Sequence, residues 1–387
     1  MKKIIFVLCL LCLAASAFAA NWTGATSEPE NSKKINGKIF YVITSAEELA
    51  WFAAQVNSGR TAINAVLAND IRFMDDTSKT SSVNWTPIGK NSSAMFGGIF
   101  NGAGKTVFGL YCEQGTYAGI FGVTDSNAVI RNVSSRKASI KSNRYAGGIV
   151  AWNSGTVTGC TNGGTVTSTL FSSSYAYSGG IVGWNSGTVM GCTNGGTGSS
   201  YSGGIAGWNA GTVADCKNLG KVSPDRGSGV TEGNAGSATM LNSFSVAGAA
   251  ESGVVNSNSG TVANCYYDSD VLTGKSTVAP NSGLHTADMQ RDQFAWILNT
   301  TNGTAENSGV WSRDSVGYPI YADSIHKPIY KIVFDDDGAT TNRYTNYKGQ
   351  VSFPEDPEAP EGKCSAGGTR TAASRSRNRP SFLATRP

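Results

Sequence analysis

Residues 147–166 read GGIVAWNSGTVTGCTNGGTV, residues 179–198 read GGIVGWNSGTVMGCTNGGTG, and residues 203–222 read GGIAGWNAGTVADCKNLGKV. A stretch that returns this closely, every few tens of residues, commits the chain to an array of stacked units. The glycine of the N-x-G-T-V unit serves as a ruler and falls at Gly155, Gly187, Gly211 and Gly260. The wide last gap predicts a hidden copy with Gly236 at the ruler and Asn234 two before it, and a fainter upstream copy puts Ala128 there. The spacings are then 27, 32, 24, 25 and 24, with the long one explained by an insertion at residues 170–178.

Each unit joins short runs such as Gly-Ile-Val and Thr-Val through Gly, Asn and Ser corners, and no helical periodicity runs through residues 125–270. That pattern is β. A coil of about 24 residues is too short for a propeller blade and suits one turn of a parallel β-helix. The sequence therefore predicts an all-β fold, a parallel solenoid, right-handed because parallel crossovers overwhelmingly are. Short capping helices and a small C-terminal β module complete it.

Two columns follow from the ruler. Asn153, Asn185, Asn209, Asn234 and Asn258 stand two before it, where stacked amides would bond side chain to side chain. Five after it stand Cys160, Cys192, Cys216, Leu241 and Cys265, with Val133 in the faint copy, which reads as an inward column. In-register neighbours lie a strand spacing apart, wider than the Cβ separation of a disulfide. The expectation is reduced, buried thiols, with one strained Cys192–Cys216 bridge as the alternative. Trp152, Trp184 and Trp208, three before the ruler, predict an aromatic column. Turned out, it would form a platform for sugar rings or a partner surface, extended by Tyr145, Tyr175, Tyr177 and Tyr201. Turned in or half in, which residue statistics favour, it would be core. Plain alternation places Ile149 with Ala151 on one face and Val150 with Trp152 on the other.

The ends are organised differently. Residues 1–19 read as a Sec signal peptide: two lysines, an apolar run from Ile4 to Leu13, and Ala17-Phe18-Ala19 as a cleavage site. The protein is expected to be secreted or held at the cell surface, with no transmembrane segment after signal removal. Residues 40–125 form an N-terminal cap and first coils, 126–270 the repeat coils, and 271–325 a C-terminal cap. The segment 45–58 is a capping helix with a Ser45/Glu48 capping box and Leu49, Phe52, Ala53 and Val56 on one face. Residues 286–299 form a second amphipathic helix, and Trp311 with Tyr318-Pro319-Ile320 closes the last coil. Residues 364–387 carry five arginines and no acid and form a disordered or frameshifted tail. A one-base shift of permitted codons there gives an aromatic-rich reading. Without that tail and Lys2 and Lys3, 24 basic residues face 27 acidic ones. A nucleic-acid partner would need a basic stripe, and none is visible.

The three units from Gly147 to Val222 resemble the GLUG motif of secreted bacterial proteins, and residues 96–102 and 118–122 match the stretch that commonly precedes it. The degenerate copy at Gly236 and the serine at 257 depart from it. Residues 329–363 resemble the opening of a Listeria–Bacteroides repeat, a β-rich module of bacterial surface proteins, without its usual aromatic continuation. The resemblance implies adhesin-like proteins, or non-catalytic arms of large surface proteases.

Chemistry is harder to find. A polysaccharide-active β-helix enzyme, the alternative reading, would need clustered carboxylates and a base. The acids of the coil region, Asp125, Asp215, Asp225, Glu232, Glu251, Asp268 and Asp270, recur in no column, and only the last two form a pair, read as a solvated turn. His285 and His326 follow the coils and read as structural. There is no G-x-S-x-G elbow and no phosphate loop. Asp335-Asp336-Asp337-Gly338 reads as a hairpin turn. No catalytic residue, cofactor or metal is assigned. The expected function is a non-enzymatic scaffold, an adhesin-like binder or spacer whose partner is a glycan or a surface protein.

Overall fold

Gly148, Gly180 and Gly204 show why the repeat must wind as it does. A Cβ on any of them would lie 2.1–2.2 Å from the carbonyl oxygen of the matching glycine one coil on, so the backbones pass too closely for a side chain. The chain instead turns a corner there. A second column of corners has left-handed backbone: Asn132 (φ 54°), Gly159 (61°), Gly191 (62°), Asp215 (52°), Asn242 (48°) and Asn264 (55°). Only Gly, Asn and Asp adopt that conformation at low cost.

The structure is a computed structural model that describes residues 21–74, 79–169, 176–199, 201–223, 227–246, 248, 251–272, 282–300, 308–336 and 339–352. The signal peptide, the tail, Tyr175, Asp225, residues 337–338 and the end of the 329–363 segment lie outside the described residues. Each coil carries four short strands, as in Tyr145–Gly147, Val150–Asn153, Thr156–Thr158 and Thr161–Ser168. Equivalent strands pair in parallel, giving sheets of ten, eleven, four and six strands among the described residues, the first strand of the ten alone being antiparallel. The fold is a parallel β-solenoid. One continuous apolar core, from Trp22 to Cys265, runs down its axis. Ile149, Ile181 and Ile205 are fully buried in it, and removing such a side chain to alanine costs about 2–5 kcal/mol.

The N-terminal end is covered by a strand pair, Ser32–Ile35 with Lys38–Ile43, and by α1, Ala46–Asn57. Leu49, Phe52, Ala53 and Val56 of α1 are buried, as its apolar stripe requires. The Ser45 hydroxyl accepts from the Glu48 N–H at 3.3 Å. The Glu48 carboxylate reaches one residue further than a standard capping box and accepts from the Thr44 N–H and hydroxyl.

The C-terminal side corrects the sequence reading twice. Residues 286–299 do not form one helix but two, α2 (Thr286–Met289) and α3 (Asp292–Asn299). Arg291 between them is extended, and Asp292 is held by Arg313 at 2.8 Å. Trp311–Arg313 and Pro319–Tyr321 pair antiparallel, yet they brace the flank of several coils rather than only the last. The Tyr321 hydroxyl donates to the carbonyls of Cys192 (2.9 Å) and Asp215 (3.0 Å), residues of two different coils. A second core of Phe244, Met289, Phe294, Leu298, Trp311 and Ile329 lies beneath this brace. Beyond it, Lys331–Asp336 pairs antiparallel with Ala339–Tyr344.

Candidate functional surface

The asparagine column is a continuous amide ladder. The side-chain N–H of Asn153 donates to the oxygen of Asn185, Asn185 to Asn209, Asn209 to Asn234 and Asn234 to Asn258, each at 2.8–2.9 Å. Thr124 begins it, donating its hydroxyl to Asn153 at 2.9 Å. Asn153, Asn185 and Asn209 are fully buried, and a buried amide is tolerated only with its bonds made. A second ladder was not anticipated. Asn162 donates to Asn194, Asn194 to Asn218, and Asn218 to the Ser245 hydroxyl, at 2.9, 2.9 and 3.2 Å. Its signal was present in the recurring Cys-x-Asn of each unit.

The cysteine column needs one correction. Strand register pairs Ala214 with Leu241 and Leu241 with Ala263, so Leu241 is not above Cys216. Counted on, Ser243 is. Two extra residues between Asn234 and Thr239 displace Gly236 from the ruler and put Ala238 in its place. Cys160, Cys192, Cys216 and Cys265 each donate weakly to the carbonyl two residues earlier, at 3.1–3.4 Å. The Ser243 hydroxyl makes the same bond to Leu241 at 2.7 Å. The column takes small side chains: a thiol, the Ser243 hydroxyl and, in the faint first copy, the isopropyl group of Val133. All five cysteines among the described residues are free and buried. Burial pushes the Cys112 and Cys265 thiols up to about 12, and those of Cys160 and Cys192 well above their ordinary value. They stay protonated and unreactive in the folded state.

Trp152, Trp184 and Trp208 lie in register on consecutive coils and are half-buried. Their rings stack at 5.0 and 5.6 Å with interplanar angles of 15° and 20°. At that separation the rings face each other, so edges rather than faces meet solvent. Simple alternation fails here. Ile149 and Val150 both enter the axial core, while Ala151 joins the tryptophans, Tyr117, Tyr145 and Tyr177 in a separate outer cluster. The column ends because the next coil has Gly233, where a Cβ would strike the Trp208 ring at 2.3 Å. Tyr201 is half-buried in left-handed backbone (φ 56°).

Among the described residues the acids of the coil region gather at no common point apart from Asp268 and Asp270, which share Thr286. Asp125 caps a turn, accepting from the Asn127 N–H at 2.7 Å. Asp215 lies buried under the brace, its carboxyl pushed up by burial. Glu232 accepts from Ser228 and Asn256. Asp268 is not a solvated turn residue: it is buried and accepts from the hydroxyls of Thr286 and Tyr318. Asp270 accepts from the Thr286 N–H at 2.9 Å and pairs with His285 at 2.7 Å. That bond holds the Asp270 carboxyl below its ordinary value and the exposed His285 ring above its own. The group starts α2. Among the described residues no three His, Cys, Asp or Glu side chains are placed to share a metal ion. No helix there is long and apolar enough to cross a membrane.

No family model matches the chain, and no curated protein matches it. A solved structure does. A Bacteroides ovatus protein, described as a putative immunoglobulin A1 protease, superposes with a TM-score of 0.52. It is 19% identical and covers 76% of this chain and 94% of its own. The likeness is one of fold. It places the solenoid beside a known bacterial architecture and carries no activity across.

Proposed function

We propose that the chain is a secreted, surface-associated scaffold of the GLUG-repeat kind, which binds or spaces and does not catalyse. One observation carries this reading: the side chains that recur from unit to unit are spent on contacts between coils. The tryptophans stack on one another, the asparagines bond to one another, and the cysteines are sealed inside. A motif maintained for catalysis would turn reactive groups toward a common point. The half-buried edges of Trp152, Trp184 and Trp208, with Tyr201 nearby in the repeat, then offer a strip for weak contact repeated along the stack, while Tyr145 and Tyr177 are buried beneath them and back the strip rather than extend it. Tyr175 belongs to the same proposal by sequence.

The domain reading accompanies it: cap 40–125, repeat coils 126–270, second cap 271–325 and the partial module 329–363. The name of the B. ovatus protein motivates the competing idea of a proteolytic protein or a protease arm. Incubating the purified chain with immunoglobulin A1, and separately with polygalacturonate, tests the choice. Both substrates are expected to remain intact by electrophoresis and reducing-end assay. A new fragment of either would overturn the scaffold reading.

A further inference from the structure

On the outer face of the eleven-stranded sheet runs a column whose residues change from rung to rung, with the first glycine of the two Thr-Asn-Gly-Gly stretches at its centre. It reads Phe108, Arg136, Gly163, Gly195 and Leu219, from the pairing of Phe108 with Arg136 and Arg136 with Gly163, and from the next residues along two further rungs. Gly163 and Gly195 have no backbone reason to be glycine. Neither has positive φ, and a Cβ would come no nearer than 3.5 Å and 3.6 Å to any other atom. Their neighbours Gly164 and Gly196 differ sharply, with Cβ contacts at 2.6 and 2.1 Å. The fold would accept side chains at 163 and 195, yet both positions are bare and exposed.

The bare positions floor a groove of about 680 Å³. Thr106, Ser134 and Thr161, paired in register, line one side with a row of hydroxyl side chains. Arg136 and Lys137 form a wall where the register shifts between Arg136 and Ser139, and Lys137 is held in left-handed backbone (φ 53°). Both cations are exposed, and no carboxylate among the described residues pairs with either. Arg72 adds a third charge, its guanidinium 5.3 Å from the Phe108 ring centre. The nearby exposed Asp70 carboxylate accepts from the Thr106 N–H at 2.9 Å and keeps its negative charge, so the positive end of the groove is the Arg136–Lys137 wall.

We propose that this furrow binds an anionic polysaccharide, laid over Gly163 and Gly195 with its charged groups against Arg136 and Lys137. The proposal deepens the binding-scaffold reading and rests on it. Absent side chains let a sugar ring approach the backbone, the hydroxyl row meets its hydroxyl groups, and Phe108 offers an apolar edge. Three cations are too few for a nucleic acid, which needs a basic stripe. An extended acidic peptide would seek a free strand edge, and these strands are paired on both sides.

The test is retention of the purified full chain on immobilised polygalacturonate and heparin, with neutral dextran as reference. The two polyanions separate carboxylate from sulfate recognition. Retention on at least one is expected, weakening as salt screens the charges. Gly195→Leu fills the furrow with the side chain that the next coil already carries at Leu219, and is expected to weaken binding at least tenfold with unchanged melting. The Arg136→Gln, Lys137→Gln double variant should do the same. No retention on either polyanion, or retention unaffected by both variants, overturns the furrow. Shortening of the retained polysaccharide would instead overturn the non-enzymatic reading and leave the binding site standing.

Discussion

Asn185 concentrates the logic of the molecule in one side chain. Its N–H groups donate to Asn209, Gly187 and Thr212, and its oxygen accepts from Asn153. Replacing it by alanine strands buried partners on both sides, each worth about 1–3 kcal/mol when left unsatisfied. Asn258 stands at the last rung, half-buried, with a ladder bond on one side only. We therefore expect Asn185→Ala to destabilise the protein by roughly 3 kcal/mol or more and Asn258→Ala by about 1 kcal/mol or less, measured by denaturant unfolding. Equal losses would mean that the amides act singly and not as a ladder.

Between one coil and the next, register decides which residues share an environment. Ser243 occupies the cysteine column, fully buried, with the bond to the carbonyl two residues earlier that each cysteine makes. Ser243→Cys is expected to melt within a few degrees of the parent, whereas Ser243→Leu overpacks the column and costs about 1–3 kcal/mol. A Leu variant that is tolerated better than the Cys variant would return Leu241 to the column and displace the register. This element also marks where sequence reasoning stopped. The stacked architecture, the amide ladder and α1 were legible because a period, a repeated residue and a capping pattern each have a local physical cause. The two extra residues after Asn234 were not, since the ruler glycine was read at Gly236 without knowing how long the corner was. The furrow also escaped notice, because a glycine forced by packing and a glycine left bare look alike in a sequence. The brace was misplaced for a different reason: Tyr321 meets Cys192 across 129 residues of chain, beyond any local pattern.

At the scale of the whole molecule, the solenoid is a rod in which each coil touches its neighbours, and stiffness comes from the axial core with the brace along one flank. A rod of this kind suits holding a binding surface at a distance, with the furrow and the aromatic strip carried on different sheets. The central claim is that every coil advances by one strand spacing with like residues aligned. It is tested most directly by spin-label distances. A label at Thr261 is paired in turn with one at Thr156, Val129 or Ile99, all in one register column, the native thiols being buried. Four, five and six rungs should give distances near 19, 24 and 29 Å, rising by about 4.8 Å per coil. Distances that do not climb in equal steps, or that spread broadly, would contradict a single in-register stack.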